Sequence, residues 1–189
     1  RTVHGFIARD FRELRDAFVV AGPKLQRTRR HSGRDSISVA FTPDFDAGRK
    51  STVDAIDRVV RFYRRQFGHV GPVSVFVRGE SGPDRRGLRG SGRRGGFVIE
   101  MPPGPPDQTS LLLIAHEAFH LWNGHRLVPA PDSESATRWF KEGATHYIAL
   151  KAVRALGLYD TRDVRAEIAR AVFYYRNNPA AQGGTVSAL

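Results

Sequence analysis

"HEAFHLWNGH", residues 116–125, holds three histidines and one glutamate in a short stretch just past the middle of the chain. Its first five residues match the pattern H-E-x-x-H. In a helix, residues i and i+4 lie on one face, so His116 and His120 can hold one zinc ion from the same side. Glu117 lies about 100° round the helix from His116, where it can act as a general base on a metal-activated water. The stretch therefore predicts a helix that carries a catalytic zinc site.

The residues around this motif argue against a chance match on a solvated helix. The motif follows "LLLIA" (111–115), and it is interleaved with Phe119, Leu121 and Trp122. Such a helix is expected to be buried on most sides. Buried imidazole and carboxylate groups need polar partners, and a shared metal ion supplies one.

A catalytic zinc site needs a third protein ligand and keeps one position open. The longer pattern H-E-x-x-H-x-x-G-x-x-H does not fit, because Asn123 and Arg126 stand where glycine and histidine are required, and His125 is one place out of register. The stretch "WFKEGATHY" (139–147) offers Glu142 instead. A lone carboxylate in this apolar helix is costly to bury unless it is paired or metal-bound. We therefore predict Glu142 as the third ligand.

Apolar patterns elsewhere predict strands with one helix among them in the first part of the chain, and helices alone after that. Strands are predicted at 17–23, 36–41, 72–77 and 97–101. Helices are predicted at 51–68, 107–123, 137–157 and 160–179. Residues 78–96 are rich in Gly and Arg and predict a mobile loop. This order predicts an α+β fold in which a small sheet is stacked on a helical pair.

Local signals also predict where two of the helices begin and end. Ser51 or Thr52 is the expected N-cap of the first helix, and Gly68 is its expected stop. Asp160 or Thr161 is expected to cap the last helix.

Composition sets broad limits on the function. The chain has 189 residues, a formal net charge of +11 and no cysteine, so disulfides and cysteine-zinc sites are excluded. No apolar run approaches the about 18 residues of a transmembrane helix. The arginines are dispersed apart from clusters at 27–34 and 78–94, without an RNA-binding motif or zinc-finger spacing, so we do not expect nucleic acid as a partner. Compartment and oligomeric state are left open.

"HEAFHLWN" followed by "WFKEGATHY" resembles the glycyl aminopeptidase family of gluzincin metallopeptidases, whose wider relatives are the zinc aminopeptidases and thermolysin. Those relatives show H-E-x-x-H-x-W and then W-x-x-E-G-x-x-x-Y, which this chain matches at Trp122, Trp139, Glu142, Gly143 and Tyr147.

The resemblance implies a thermolysin-like zincin catalytic domain, with a small mixed sheet packed on a helical zinc-binding core. We assign residues 36–189 to this domain, incomplete at its C-terminus, and residues 1–35 to the end of a preceding segment. The resemblance also implies one catalytic Zn²⁺ held by His116, His120 and Glu142, with Glu117 as general base and a peptide or protein as substrate.

One departure from the family pattern concerns the substrate's amino terminus. Aminopeptidases of this clan carry a Gly-x-Met-Glu-Asn or Gly-Gly-x-Glu-His type motif whose glutamate grips that terminus. The equivalent stretch here, "RGSGRRGGFVIE" (89–100), has Gly and Arg at that place. We therefore expect an aminopeptidase-like enzyme with altered amine recognition, and leave endopeptidase action open. The substrate is expected to lie along "FVIEM" (97–101) as an added strand.

A second departure concerns the tyrosine that relatives use to stabilise the oxyanion, which lies well downstream of the ligand glutamate. Within this chain the possible donors are His146, Tyr174 and Tyr175. His146 lies one helical turn after Glu142, where it can orient a ligand, donate to the oxyanion, or simply be a core histidine. These departures leave an alternative, a catalytically inactive zinc-binding domain that serves as an interaction module. The retained Glu117 favours an active enzyme.

Overall fold

The computed structural model describes residues 20, 22, 24–32, 35–79, 88–93, 95–123 and 134–178. Within these ranges the strands are β1 (Gln26–Ser32), β2 (Asp35–Phe41), β3 (Val73–Gly79), β4 (Arg89–Arg93) and β5 (Gly96–Met101). The helices of the same ranges are α1 (Arg49–Phe67), α2 (Gln108–Phe119), α3 (Glu134–Ala155) and α4 (Thr161–Asn177). None of these helices is both long enough and apolar enough to span a membrane.

The strands form one mixed sheet in the order β1-β2-β3-β5-β4. The three central strands run parallel, β2 beside β3 and β3 beside β5, whereas β1 and β4 pair antiparallel at the two ends. Parallel neighbours need a crossover connection, which α1 supplies between β2 and β3. The α+β class and the small mixed sheet predicted from the sequence are confirmed.

One face of the sheet forms the hydrophobic core with α1 and α2. Alternate residues of the three central strands point to this face, as the period of two requires. They are Ile37, Val39, Phe41, Val73, Val75, Val77, Phe97, Ile99 and Met101. Helix α1 covers them with its apolar face, and α2 contacts β4 and β5. The sheet is therefore the platform on which α2 is held.

The boundaries of α1 correct one predicted cap. The helix begins at Arg49, with Gly48 as N-cap in the left-handed region at φ 73°. Ser51 and Thr52, the expected caps, lie inside the first turn, and both hydroxyls donate to the Gly48 carbonyl at 2.9 Å. The predicted stop is confirmed, since α1 ends before Gly68, whose φ is 86°.

The prediction of a loop over 78–96 is wrong for residues 89–93, which form β4. This strand pairs with β5 from Arg89 opposite Glu100 to Arg93 opposite Gly96. Its glycines have low strand propensity and no apolar side chains, so period-two alternation cannot reveal it. Residues 80–87 and 94 of the predicted loop lie outside the described residues.

The N-terminal part of the sheet also differs from the prediction. The predicted strand at 17–23 lies largely outside the described residues, and neither Val20 nor Gly22 is in a strand. Strand β1 instead pairs with β2 from Gln26 opposite Phe41 to Ser32 opposite Asp35. The sheet therefore includes Gln26–Ser32 and Asp35, which lie in the stretch assigned above to the end of a preceding segment.

The predicted later helices are present with small shifts of their ends. Helix α2 is capped by Asp107, whose side chain accepts from the Ser110 backbone N–H at 2.8 Å. Helix α3 begins three residues earlier than predicted, at Glu134 rather than 137. Helix α4 is capped by Asp160, which forms a reciprocal capping box with Asp163. Asp160 is one of the two caps expected from the sequence.

Candidate metal centre

Three donor atoms converge where the C-terminal end of α2 meets α3. His116 Nε2 lies 3.1 Å from Glu142 Oε2, and His120 Nε2 lies 3.4 Å from the same oxygen. The two imidazole Nε2 atoms are 3.3 Å apart. The structure therefore brings together the three residues predicted as ligands, as a group whose donor atoms all lie within 4.8 Å of one another.

These separations fit a tetrahedral zinc site. Zinc–ligand bonds of about 2.0–2.1 Å at tetrahedral angles place neighbouring donor atoms about 3.3 Å apart. The three observed distances of 3.1, 3.3 and 3.4 Å lie close to that value. Two imidazoles and one carboxylate are also a ligand set that catalytic zinc uses. The donor set and its spacing therefore fit a zinc ion.

The protonation of the two imidazoles is compatible with metal binding. Burial, reinforced by the nearby His120, lowers the pKa of His116 to about 4. Burial is also the main cause that lowers the pKa of His120. Both rings are therefore neutral near pH 7, with a lone pair available to a metal ion.

Asn123 ties the end of α2 to α3. His120 Nδ1 lies 3.3 Å from the backbone carbonyl of Asn123, so its N–H can donate there and leave Nε2 free for a metal. The Asn123 side chain donates to the Lys141 carbonyl at 2.9 Å and to the Thr145 hydroxyl at 3.0 Å. Since Asn123 and Thr145 are both buried, these bonds fix the position of one histidine-bearing turn relative to the helix that carries Glu142.

The other side of α2 is anchored to α1 by aromatic residues. The Tyr63 hydroxyl donates to the Ala115 carbonyl at 3.0 Å, and the Trp122 indole N–H donates to the Gly68 carbonyl at 2.9 Å. The Tyr63 ring also packs against Phe119 and Trp122, with ring centroids 5.2 and 5.6 Å apart. These contacts hold both ends of the histidine motif against α1 and the glycine that follows it.

Glu117 is buried beside the three donors, with 5% of its surface exposed. Its Oε2 atom has no hydrogen-bond partner within the described part of the chain. Burial, and secondarily the charge of Glu142, raise the pKa of Glu117 to about 7. A carboxylate with this pKa can both take up and release a proton near neutral pH, as a general base requires.

Strand β4 lies directly over the histidine motif. A Cβ atom at Gly90 would be 2.3 Å from the Glu117 carboxylate carbon, and one at Gly92 would be 2.7 Å from His120 Cβ. Among the described strands β4 is at the end of the sheet, and β5 lies between β3 and β4. The expectation that a substrate lies along β5, residues 97–101, is therefore wrong, since both edges of that strand are already paired.

The remaining candidates take different positions. His146, one turn after Glu142 on α3, has its ring centroid 6.0 Å from that of His116. Tyr174 and Tyr175 lie near the end of α4, where they are 66% and 63% exposed. His125 lies outside the described residues. Of the proposed oxyanion donors, only His146 is shown beside the centre.

Sequence reasoning missed three residues that shape the site. Gly90 and Gly92 gave no signal because they lie in a segment that resembled a loop. Asn123 was noted only as a mismatch to a longer zinc motif. Its place directly after H-E-x-x-H-x-W was a usable signal, because an amide at a helix end commonly bonds the neighbouring backbone.

Residues 109–188 match the family described as M61 glycyl aminopeptidase. This match includes every predicted ligand and the predicted base, and it confirms the resemblance drawn from the sequence. No curated protein matches the chain.

Among solved structures, the chain is similar to an aminopeptidase N family protein from Idiomarina loihiensis, with a TM-score of 0.60 and 16% sequence identity over 75% of this chain. At this identity the likeness shows a shared fold. This chain spans 27% of the length of that structure.

Proposed function

We propose that this chain, whose resemblance to the M61 glycyl aminopeptidase family is shown by residues 109–188, is a zinc-dependent peptidase of the thermolysin-like zincin type. The observation that carries the proposal is the cluster of His116, His120 and Glu142, with three donor separations of tetrahedral size. Among the described residues, the Oε2 atom of the buried Glu117 beside it has no hydrogen-bond partner. We place the peptidase domain at 36–189, together with β1, which pairs with β2 in the same sheet.

In the proposed mechanism, His116, His120 and Glu142 hold the zinc ion. Zinc bound there supplies a Lewis acid that lowers the pKa of water and polarises the carbonyl of the scissile peptide. Glu117 accepts a proton from the attacking water and returns it to the nitrogen of the leaving amine. The raised pKa of Glu117, about 7, suits both transfers at neutral pH.

The proposed substrate path follows β4. An extended peptide can add to an exposed sheet edge through main-chain hydrogen bonds. Strand β4 is the end strand nearest the site, and its Gly90 and Gly92 face Glu117 and His120. A peptide beside β4 would therefore pass next to the proposed base and ligands.

Recognition of the substrate's amino terminus is expected to differ from that of related aminopeptidases. Strand β4, "RGSGR", contains no carboxylate that could bind an ammonium group. Arg89 and Ser91 pair with Glu100 and Val98 and so lie on the sheet face opposite the metal centre. Arg89 therefore points away from the metal centre, and both free and blocked peptides remain possible substrates.

The test is cleavage of a mixed peptide library in free and N-acetylated forms, with Glu117→Gln as the matched inactive control. Cleavage by the wild-type protein that requires zinc and is lost in Glu117→Gln supports the proposed mechanism. Removal of single residues from free peptides alone indicates an aminopeptidase, and internal cuts in both forms indicate an endopeptidase. Normal cleavage by Glu117→Gln would exclude Glu117 as the base.

One observation favours a second candidate function, a zinc-binding domain without activity. Tyr174 and Tyr175, two of the possible oxyanion donors, are exposed on α4. Zinc bound in stoichiometric amount without cleavage of any peptide in the library would support this alternative.

A further inference from the structure

We propose that Gly90 and Gly92 are positioning residues of the metal centre. The lack of side chains at these two places lets β4 lie against α2, so that Gly90 fixes the position of Glu117 and Gly92 fixes that of His120. The catalytic part of this inference rests on the proposed peptidase function, but the part that concerns metal binding does not.

Backbone conformation does not explain these glycines. The structure gives positive φ angles to Gly48, Gly68, Gly71, Gly95, Gly104 and Gly157, but not to Gly90 or Gly92. Glycine within a strand is otherwise unfavourable, because it adds no side chain to pack and has a high conformational entropy when unfolded. The explanation must therefore be that a neighbouring group lies too close to positions 90 and 92 to leave room for a Cβ atom.

At Gly90 that group is the proposed base. A Cβ atom there would lie 2.3 Å from Cγ, Cδ and Oε1 of Glu117. These atoms are the flexible end of a side chain, so the carboxylate can turn away while the strand and helix stay in place. A methyl group at position 90 would thus displace the carboxylate with little disturbance of the ligand cluster.

At Gly92 the neighbour is a proposed ligand. A Cβ atom there would lie 2.7 Å from Cβ and 3.3 Å from Cγ of His120. The Cβ position of His120 is set by the backbone of α2, so rotation of the ring cannot relieve this contact. Strand and helix must separate, which moves His120 relative to His116 and Glu142.

The register of β4 agrees with this placement. Gly90 is opposite Ile99 and Gly92 is opposite Phe97 on β5, and both of these partners are fully buried on the helix-covered face. Ser91, between the two glycines, is opposite Val98 and lies on the other face. Ser91 is therefore a matched control on the same strand.

The experiment compares Gly90→Ala, Gly92→Ala and Ser91→Ala in the full chain. Zinc affinity is measured by competition with a chromogenic chelator, and kcat and KM are measured on the best peptide. We expect Gly90→Ala to lower kcat by at least about tenfold with zinc affinity and KM nearly unchanged. We expect Gly92→Ala to lower zinc affinity by about 10–100-fold, as found when groups that orient ligands are altered. Ser91→Ala should change neither.

A merely structural role would not make Gly90→Ala lower kcat and Gly92→Ala lower zinc affinity. Equal losses of zinc affinity and kcat in both glycine variants would overturn the inference, as would wild-type values in either. If Gly92→Ala does not fold, Gly90→Ala alone decides whether the strand positions the base.

A readout independent of turnover separates this inference from the proposed function. Gly90→Ala is expected to lower the melting temperature in the wild-type background but not in a Glu117→Ala background, where the contact is absent. An equal shift in both backgrounds would refute the contact. If the wild-type protein cleaves nothing, a fall in the zinc affinity of Gly92→Ala still supports the role of β4 at the metal centre, and the proposed peptidase function fails by itself.

Discussion

Glu142 brings to the cluster the one oxygen that both imidazoles share. Its Oε2 atom lies 3.1 Å from His116 Nε2 and 3.4 Å from His120 Nε2, although its side chain is 44% exposed. An exposed carboxylate gains little from a surface ion pair. A cation shared by the three donor atoms would account for its position between two imidazoles that are neutral at pH 7.

Removal of this carboxylate should therefore weaken metal binding more than removal of His146, which lies beside the cluster without being a proposed ligand. We expect Glu142→Ala to lower zinc affinity by more than 100-fold, since a ligand is lost, and His146→Ala to lower it by about tenfold or less. Competition with a chromogenic chelator measures both. Similar losses in the two variants would place His146 among the ligands.

For individual side chains of the site, the sequence predicted what helical spacing alone determines. His116, Glu117 and His120 lie within one turn and a half, so their relation needs no knowledge of the rest of the fold. Glu142 was reached because a carboxylate in an apolar helix needs a partner. The roles of Gly90 and Gly92 could not be predicted, because they depend on contacts with Glu117 and His120, about thirty residues further along the chain.

At the scale of elements, the site depends on how α2 is joined to α3. The join runs through the buried Asn123 side chain, which donates to the Lys141 carbonyl and the Thr145 hydroxyl on α3. The backbone of Asn123 also faces His120 Nδ1. One residue thus connects the geometry of the histidines with the placement of Glu142.

Asn123→Ala should loosen this join. Loss of the amide leaves buried acceptors unpaired, so we expect a fall of about 1–3 kcal/mol in the free energy of unfolding. Zinc affinity should fall about tenfold. Denaturant titration and chelator competition provide the two values. Asn177→Ala, which removes an exposed amide bonded within α4, is the control and should change stability by less than about 0.5 kcal/mol.

Tyr159 joins the segment between α3 and α4 to the start of α2. Its hydroxyl donates to the Gln108 carbonyl at 2.7 Å, and burial raises the pKa of Tyr159 to about 12. Because the folded state holds the proton more tightly than the unfolded state, this contribution to stability is complete below pH 10. It is lost as pH rises from about 10 towards 12.

Tyr159→Phe should therefore be less stable than wild type at pH 8 but less sensitive to alkali. We expect the fall in unfolding free energy between pH 10 and 12 to be smaller in the variant by roughly 1–2 kcal/mol. Urea titrations at several pH values measure this difference. If both proteins lose stability in parallel, Tyr159 is not a source of the alkaline sensitivity.

Helices and strands with a periodic pattern of apolar residues were predicted well. Strands that form only because they pair with a neighbouring strand were missed. The apolar stripe of α1 and the buried runs of β3 and β5 carry their own signals. Strands β1 and β4 are polar or glycine-rich and are strands because a neighbour offers hydrogen bonds. The N-cap of α1 was misplaced because Gly48 offers no side-chain signal to compete with Ser51 and Thr52.

In the molecule as a whole, the candidate metal centre links α2 and α3, two helices that both follow the described strands along the sequence. A zinc ion that binds the folded state and not the unfolded chain stabilises by mass action, by about 4 kcal/mol when free zinc is a thousand times Kd. We expect a chelator to lower the melting temperature by on the order of 10 °C, which calorimetry measures. The same chelator should leave the melting temperature of the His120→Ala variant unchanged. An unchanged wild-type value would show that no metal is bound at the cluster.

Among the described strands, β1 and β4 end the sheet and each lacks a partner strand on one edge, and such an edge can template association with another chain. Strand β1 carries charge that opposes such association, since three of its seven residues are arginines. Strand β4 cannot be covered if a peptide is to reach the centre beneath it. Its glycines make it a poor seed for cross-β stacking, and an arginine stands at each of its ends. The same glycines that admit α2 thus also lower the tendency of this end strand to aggregate.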